Sequence, residues 1–341
     1  MTLERRIDPF VKLGTHLKRR LKSEQSDSVM SEPLNLSIQQ SSAANPWFTE
    51  DNILYALHAW TDVLTESQLS EWLKSYSDLS VSPKTIAIVM AGNIPMVGFH
   101  DLLSALILGH QVKVKLSSQD AVLIPYLVSV IEKFDPELAA QVSFTKDQLT
   151  GFDAVIATGS NNTARYFEHY FNKYPNILRK NRNSVAVLSG NESIEDFRGL
   201  SEDIFRYYGL GCRNVTKIFV PQQYDLKHFF EGIYHWNDVI HHNKYANNYD
   251  YNKAVELLNG TNLLDNGFLL LKESEAYPSP IGMLHWETYD NINRLKQKLK
   301  NDHEYIQCIV GSDFNPFGAS QKPSLKDYAD GVDTVEFLLK T

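Results

Sequence analysis

The rhythm of apolar and polar positions changes twice along this chain of 341 residues. Up to about residue 45 the pattern is helical and polar, ending in the soft segment "SEPLNLSIQQSSAANP". "PWFTEDNILYALHAWTDVLT" then has helical periodicity, with Thr49 as N-cap and Asp51 in the first turn. From Lys84 onward short apolar runs alternate with helical stretches. "KTIAIVM", "QVKVKLS", "AQVSFT", "FDAVIAT" and "NSVAVLS" are strand-like. "PMVGFHDLLSALILG", "DAVLIPYLVSVIEKF" and "NNTARYFEHYFNKY" are helical. Strands alternating with helices predict a mainly parallel sheet covered on both faces. That is a doubly wound α/β architecture of nucleotide-binding type, with ligands at the carboxyl ends of its strands. After Gly190 the pattern restarts with the helix "SIEDFRGLSEDIFRYYG" and the strand "TKIFVP". A second helix, "DYNKAVELLNG", follows with Asp250 as N-cap and Gly260 as stop, then the strands "GFLLLKE" and "IQCIVG". The expected division is a cofactor domain with its helical lead-in over 1–189 and a smaller α/β domain over 190–317. The tail 318–341 is able to return to the first domain. No internal repeat is visible.

Composition narrows the class of partner. The net charge is −8 and no long Lys/Arg run occurs, which argues against nucleic acid as the main ligand. Two cysteines, Cys212 and Cys308, cannot build a disulfide framework and indicate a reducing compartment. The opening "MTLERRIDPF" has no apolar core of signal-peptide length. The most apolar region is interrupted by Asn93, Pro95, His100 and Asp101, a pattern unsuited to a lipid-spanning helix. The expectation is a cytoplasmic protein without a membrane span.

Candidate chemistry sits in four places, each with an ordinary alternative. In "AGNIPMVGFHD" a strand ends at Met90 and a helix starts near Pro95, leaving Asn93 on the turn. Its amide is either a donor aimed at a developing oxyanion or, more commonly, a helix N-cap followed by proline. In "VKVKLSSQD", Lys113 and Lys115 share a strand face. Lys115 either meets a cofactor ribose or phosphate at the strand end or protects an edge strand. "ATGSNNTARYF" is a strand, a Gly turn and a helix start, where Gly159 allows close backbone approach and Ser160 caps. Such a helix N-terminus takes phosphate, although the same outline is found at many βα turns. In "GLGCRN", Cys212 stands among glycines beside Arg213. Flanking glycines make little sense as core packing, so Cys212 is read as a nucleophile, whereas Cys308 in "IQCIVG" is read as a packed core thiol. His241 and His242 are adjacent, point in different directions and have no partner at ligand spacing, so no metal is expected.

Taken in order, these pieces resemble the aldehyde dehydrogenase superfamily, most clearly from Lys84 to Pro221. "AGNIP", "VKVKLSS", "ATGSNNTARYF", "RKNRNSVAVLSG", "GLGCRNVTKIFVP" and "DYADGVDTVEFLL" are similar to acyl-CoA reductases, the branch related to the fatty-acid reductase subunit of bacterial bioluminescence. The resemblance implies a Rossmann-type cofactor domain plus a smaller catalytic α/β domain. It implies Cys212 as nucleophile and Asn93 as oxyanion holder. It places Lys115 at the adenosine ribose and Thr158, Gly159 and Ser160 at the turn beside the pyrophosphate. Three departures matter. Arg179 stands near the family's water-activating Glu, so no general base for hydrolysis is visible. Ser118 replaces a Glu that binds the ribose 2′-hydroxyl in NAD-preferring members, which favours NADP(H). The E-x-F-G-P segment survives only as "AYPSPIG". The implied activity is NADPH-dependent reduction of an acyl thioester, on CoA or a carrier protein, to an aldehyde. The alternatives are the oxidative direction, a non-catalytic nucleotide-binding subunit and a thioester hydrolase. The chain is shorter than typical members, which suggests a reduced oligomerisation arm, and a homo-oligomer remains allowed.

Overall fold

The computed structural model describes residues 2–23 and 33–341, with the backbone alone for Asn161. The chain divides into two compact units, Met1–Lys180 with Ser324–Thr341, and Asn181–Pro323.

The first unit opens with helices α1 (Leu3–Ser23), α2 (Pro33–Ala44), α3 (Glu50–Val63) and α4 (Glu66–Leu73). It continues β1 (Thr85–Val89), α5 (Phe99–Leu108), β2 (Gln111–Lys115), α6 (Leu123–Phe134), α7 (Pro136–Ala139), β3 (Val142–Phe144), β4 (Ala154–Thr158), α8 (Asn161–Phe171) and β5 (Asn176–Arg179). Phe10, Leu13, Leu17 and Leu21 recur at helical spacing on α1 and are buried, which explains a helix in so polar a segment. Thr49 caps α3 by accepting from the Asn52 N–H. The soft segment is in fact largely the helix α2, whose Leu34 and Ile38 are buried; its first two residues, Ser31 and Glu32, lie outside the described residues.

The sheet of this unit is parallel, in the order β3-β2-β1-β4-β5. The chain moves outward from β1 to β3, then returns beside β1 with β4. Strand order therefore reverses between β1 and β4, the switch point where α/β sheets open a crevice at their carboxyl ends. Ile86, Ala87 and Ile88 of β1 are fully buried, and every residue of α5 except His100 is buried, so a continuous apolar run is what this position requires. The left-handed C-cap Gly109, φ 86°, ends α5.

The second unit comprises β6 (Asn183–Val187), α9 (Ile194–Phe205), β7 (Val215–Pro221), α10 (Leu226–Gly232), α11 (Asn243–Leu258), β8 (Leu263–Asp265), β9 (Leu270–Glu273), β10 (Met283–Tyr289), α12 (Ile292–Asn301) and β11 (Ile306–Gly311). The tail helix α13 (Thr334–Leu339) belongs to the first unit. The second sheet runs β11-β6-β7-β10-β9-β8, parallel except for β8 against β9. Because β6 pairs with β7 and β11, it lies in the second sheet, ahead of the division expected at Gly190. Asp250 is inside α11 rather than at its start; His242 is the N-cap, its ring nitrogen accepting from the Tyr245 N–H.

Candidate active site

Cys212 lies in the second unit, between α9 and β7. The Asn214 N–H donates to the Gly211 carbonyl at 3.0 Å, closing a tight turn over 211–214 with half-buried Cys212 at its first corner. The Asn214 side chain, fully buried, binds the same turn from the other side. Its Oδ1 accepts from the Gly211 N–H at 2.8 Å. Its Nδ2 reaches the carbonyls of Arg206 (2.7 Å), Asp203 (3.2 Å) and Ile204 (3.2 Å). Ser184 on β6 donates its hydroxyl to the Cys212 carbonyl at 3.0 Å. Between α9 and this turn, Tyr207 (φ 55°) and Tyr208 (φ 58°) are consecutive non-glycine residues in the left-handed region, followed by Gly209 at φ 77°. Such residues cost of order 1–3 kcal/mol each and persist only where surroundings over-determine them. The Tyr208 ring stacks on His242 at 4.1 Å between centroids. Cys308, by contrast, is buried in β11, and neither cysteine is in a disulfide.

Asn93 lies in the first unit on the connection from β1 to α5, and is exposed. α5 starts at Phe99, later than Pro95, and its N-cap is Gly98 with no side-chain cap bond. Asn93 is therefore not the N-cap of α5. The connection is held from below. The Met96 N–H, at a left-handed φ of 59°, donates to buried Asp120 Oδ2 at 2.7 Å. Burial pushes Asp120 up to about 6, its backbone hydrogen bonds notwithstanding. Buried Asn45 spans from the Gly92 carbonyl (3.5 Å) to the Gln119 carbonyl (3.4 Å). A Cβ on Gly92 would stand 2.6 Å from Ser117 Oγ, so only glycine lets the two connections pack this closely.

The remaining site residues are placed by sheet register. Val89 pairs with Lys115 on one side and Ala157 on the other, so Lys115 and Thr158 end the two strands that flank β1 at the switch point. Lys115 Nζ donates to the Asp147 carbonyl at 3.2 Å, and Lys113 Nζ to those of Thr150 and Gly151. β2 is interior, between β3 and β1, so edge protection does not explain its lysines. Ser118 is exposed on the following connection. Ser160 caps α8, accepting from the Thr163 N–H at 3.3 Å. A Cβ on Gly159 would come within 3.0 Å of Phe167 and Thr163 atoms, so glycine lets the turn lie against α8. Arg179, at the end of β5, is buried in a two-pronged ion pair with Asp101 on α5 (2.5 and 2.8 Å) and also donates to Thr334 on α13.

Asn93, Lys115, Ser118, Thr158, Gly159 and Ser160 thus all lie at the carboxyl ends of β1, β2 and β4 in the first unit, and Cys212 stands in the second. Sequence reading passed over the buried anchors Asn214, Asp120 and Asn45; nothing in their local sequence marks them. Among the described residues no group of three or more His, Cys, Asp and Glu is arranged to hold a metal, and no helix is long and apolar enough to cross a membrane.

Solved structures similar to this chain include aldehyde dehydrogenases. Aldehyde dehydrogenase 21 from Physcomitrella patens, in complex with succinate, matches with a TM-score of 0.66 and 11% identity over 100% of this chain and 84% of its own. The indole-3-acetaldehyde dehydrogenase AldA of P. syringae, in complex with NAD+ and IAA, matches with a TM-score of 0.61 and 15% identity, covering 87% of this chain and 69% of its own. The NAD+ complex of a Bacillus cereus aldehyde dehydrogenase matches with a TM-score of 0.59 and 13% identity over 88% and 70%. No curated protein sequence matches. A sequence profile of the family described as acyl-CoA reductase (LuxC) matches residues 28–233, a span that includes Asn93, Lys115, Thr158, Gly159, Ser160 and Cys212. The chain belongs to the acyl-CoA reductase (LuxC) family, an oxidoreductase acting on the aldehyde group and built on the aldehyde dehydrogenase fold.

Proposed function

We propose that this enzyme reduces an acyl thioester, on CoA or an acyl-carrier protein, to the aldehyde with NADPH as reductant. The observation that carries the reading is the presentation of Cys212, a half-buried thiol at the corner of a hydrogen-bonded turn rather than in a packed strand. Its thiolate adds to the thioester carbonyl, and the tetrahedral oxyanion re-forms the carbonyl by expelling the carrier thiolate. The acyl group is then a thioester on Cys212. Asn93, exposed and not engaged as the cap of α5, donates its amide to the oxyanion. A bound nicotinamide supplies the hydride that reduces the acyl group to the aldehyde level. The resulting thiohemiacetal collapses, with Cys212 leaving as thiolate and the aldehyde released.

The first unit suits a nicotinamide dinucleotide. Its strand order reverses between β1 and β4, where such sheets take ligands, Lys115 ends β2 beside that reversal, and α8 presents a serine-capped N-terminus after Gly159. Ser118 leaves no carboxylate at its position to repel a 2′-phosphate, which supports NADPH over NADH. Arg179 supports an aldehyde product over an acid. It stands near the place of the water-activating base, and its guanidinium is committed to Asp101 and Thr334. A nucleophile that must stay reduced suits the cytoplasm.

The test is intact-mass analysis of the full chain incubated with octanoyl-CoA, with and without NADPH. The expected result is an octanoyl adduct on Cys212 that disappears when NADPH is added, with octanal formed. Octanoic acid as the only product would reject the reductase reading; a persistent absence of adduct from acyl-CoA and acyl-carrier protein alike would reject the nucleophile.

A further inference from the structure

We propose that Asn214 is the positioning residue of the Cys212 nucleophile, clipping the segment 206–209, with its left-handed residues Tyr207, Tyr208 and Gly209, and the 211–214 turn into one rigid body. This rests on the reading of Cys212 as the acylated thiol and goes beyond it. A carboxamide accepts through its oxygen and donates through its nitrogen at once, and Asn214 uses both faculties. Its Oδ1 takes the Gly211 N–H, and its Nδ2 has two hydrogens for three carbonyls, the shortest bond running to Arg206. The atoms it joins bracket the two left-handed tyrosines. Arg206 precedes Tyr207, and Gly211 follows Gly209 by two residues. The ring of Tyr208 stacks on His242, and Tyr207 is buried, so the segment is gripped at its side chains as well as at its ends. The Gly211–Asn214 pair is tied twice, backbone to backbone and side chain to backbone. Without Nδ2 the carbonyls of Asp203, Ile204 and Arg206 lose this shared partner, the segment can leave its strained conformation, and the corner carrying Cys212 moves with it. A displacement of about 1 Å at a reacting atom is enough to slow chemistry on the order of 10²-fold.

The full chain is compared as wild type, Asn214→Ala and Asn214→Asp. The aspartate keeps an acceptor for the Gly211 N–H but turns a second oxygen, instead of a donor, toward the Arg206 carbonyl. Three quantities are measured at a temperature where near-ultraviolet circular dichroism shows each variant folded. They are the single-turnover rate of Cys212 acylation by octanoyl-CoA, the rate of Cys212 alkylation by iodoacetamide, and NADPH binding by fluorescence titration. The expected outcome is acylation slowed about 10–10²-fold in both variants, altered alkylation of Cys212 with Cys308 unchanged, and NADPH affinity unchanged. A folded variant that acylates at the wild-type rate overturns the proposal. Should neither variant fold, hydrogen exchange in the wild type decides: a Gly211 amide protected as well as the β7 amides supports the rigid clip, and one exchanging at loop rates overturns it. If the wild type itself takes no acyl group, the reductase reading fails, and the clip is judged from alkylation and exchange alone.

Discussion

The connection carrying Asn93 and the turn carrying Cys212 solve one problem with opposite chemistry. Each departs from regular structure through left-handed non-glycine residues, Met96 in one and Tyr207 with Tyr208 in the other. Each is held by a buried polar side chain, Asp120 from the connection after β2 for the Met96 N–H and Asn214, the last residue of the turn itself, for the Gly211 N–H. The carboxylate only accepts, so it fastens backbone N–H groups, those of Met96 and Leu123, and no carbonyl. The amide accepts and donates, so it gathers the carbonyls at the end of α9 as well. The carboxylate also titrates, whereas the amide is indifferent to pH. The comparison teaches that the geometry of a functional loop is set by what lies beneath it, and that the choice of anchor decides how the loop responds to pH.

The largest effect should come from the turn. Cys212→Ala is expected to abolish the acyl adduct entirely, and a surviving adduct on another residue would remove the second unit from the comparison. Asn93→Ala should lower turnover on the order of 10²–10³-fold, as loss of one oxyanion donor does, while NADPH titration stays normal; steady-state kinetics near the wild-type rate would reject its role. The anchors separate next. Burial raises the folded pKa of Asp120 to about 6 from an ordinary 3.8, so the protonated carboxyl favours folding. That contribution is fully present below about pH 4 and is lost as pH rises through 6. Wild type should therefore gain stability over Asp120→Asn between pH 7 and pH 4, by up to about 3 kcal/mol in urea titrations, because each pKa unit is worth about 1.4 kcal/mol. A pH-independent difference would break the contrast between the two anchors. The smallest effect is steric. Gly92→Ala places a methyl against Ser117 and should cost about 1–3 kcal/mol. An unchanged melting temperature would show that the two connections are not closely packed.

Legibility followed the range of the interactions. The Thr49 cap, the strand run of β1, the Gly109 stop and the Ser160 cap rest on contacts within one or two turns, and each is visible in its own few residues. Asp250 carried the same local signal and is nonetheless inside α11, since the helix extends back to His242. β5 went unread because "NILR" is too short to show a period, yet pairing with β4 makes it a strand. Whether β6 belongs to the first or second sheet is a question of pairing partners, which a boundary drawn from texture at Gly190 could not answer. The anchors Asp120 and Asn45 were invisible for the same reason: Asp120 meets Met96 across 24 positions, and Asn45 meets Gln119 across 74.

By itself the amino-acid sequence determined the α/β class, the alternation that makes a parallel sheet, and the set of motifs that places the chain among acyl-CoA reductases, because residue type and short-range spacing are local properties of the chain. Tertiary structure alone decided that Asn93 is not a helix cap, that Lys115 stands on an interior strand, that Arg179 is bound up with Asp101, and that Asn214 holds the turn of Cys212. Those are statements about which partner each group takes once the chain is folded, and burial in the folded state is what makes a polar group choose among them.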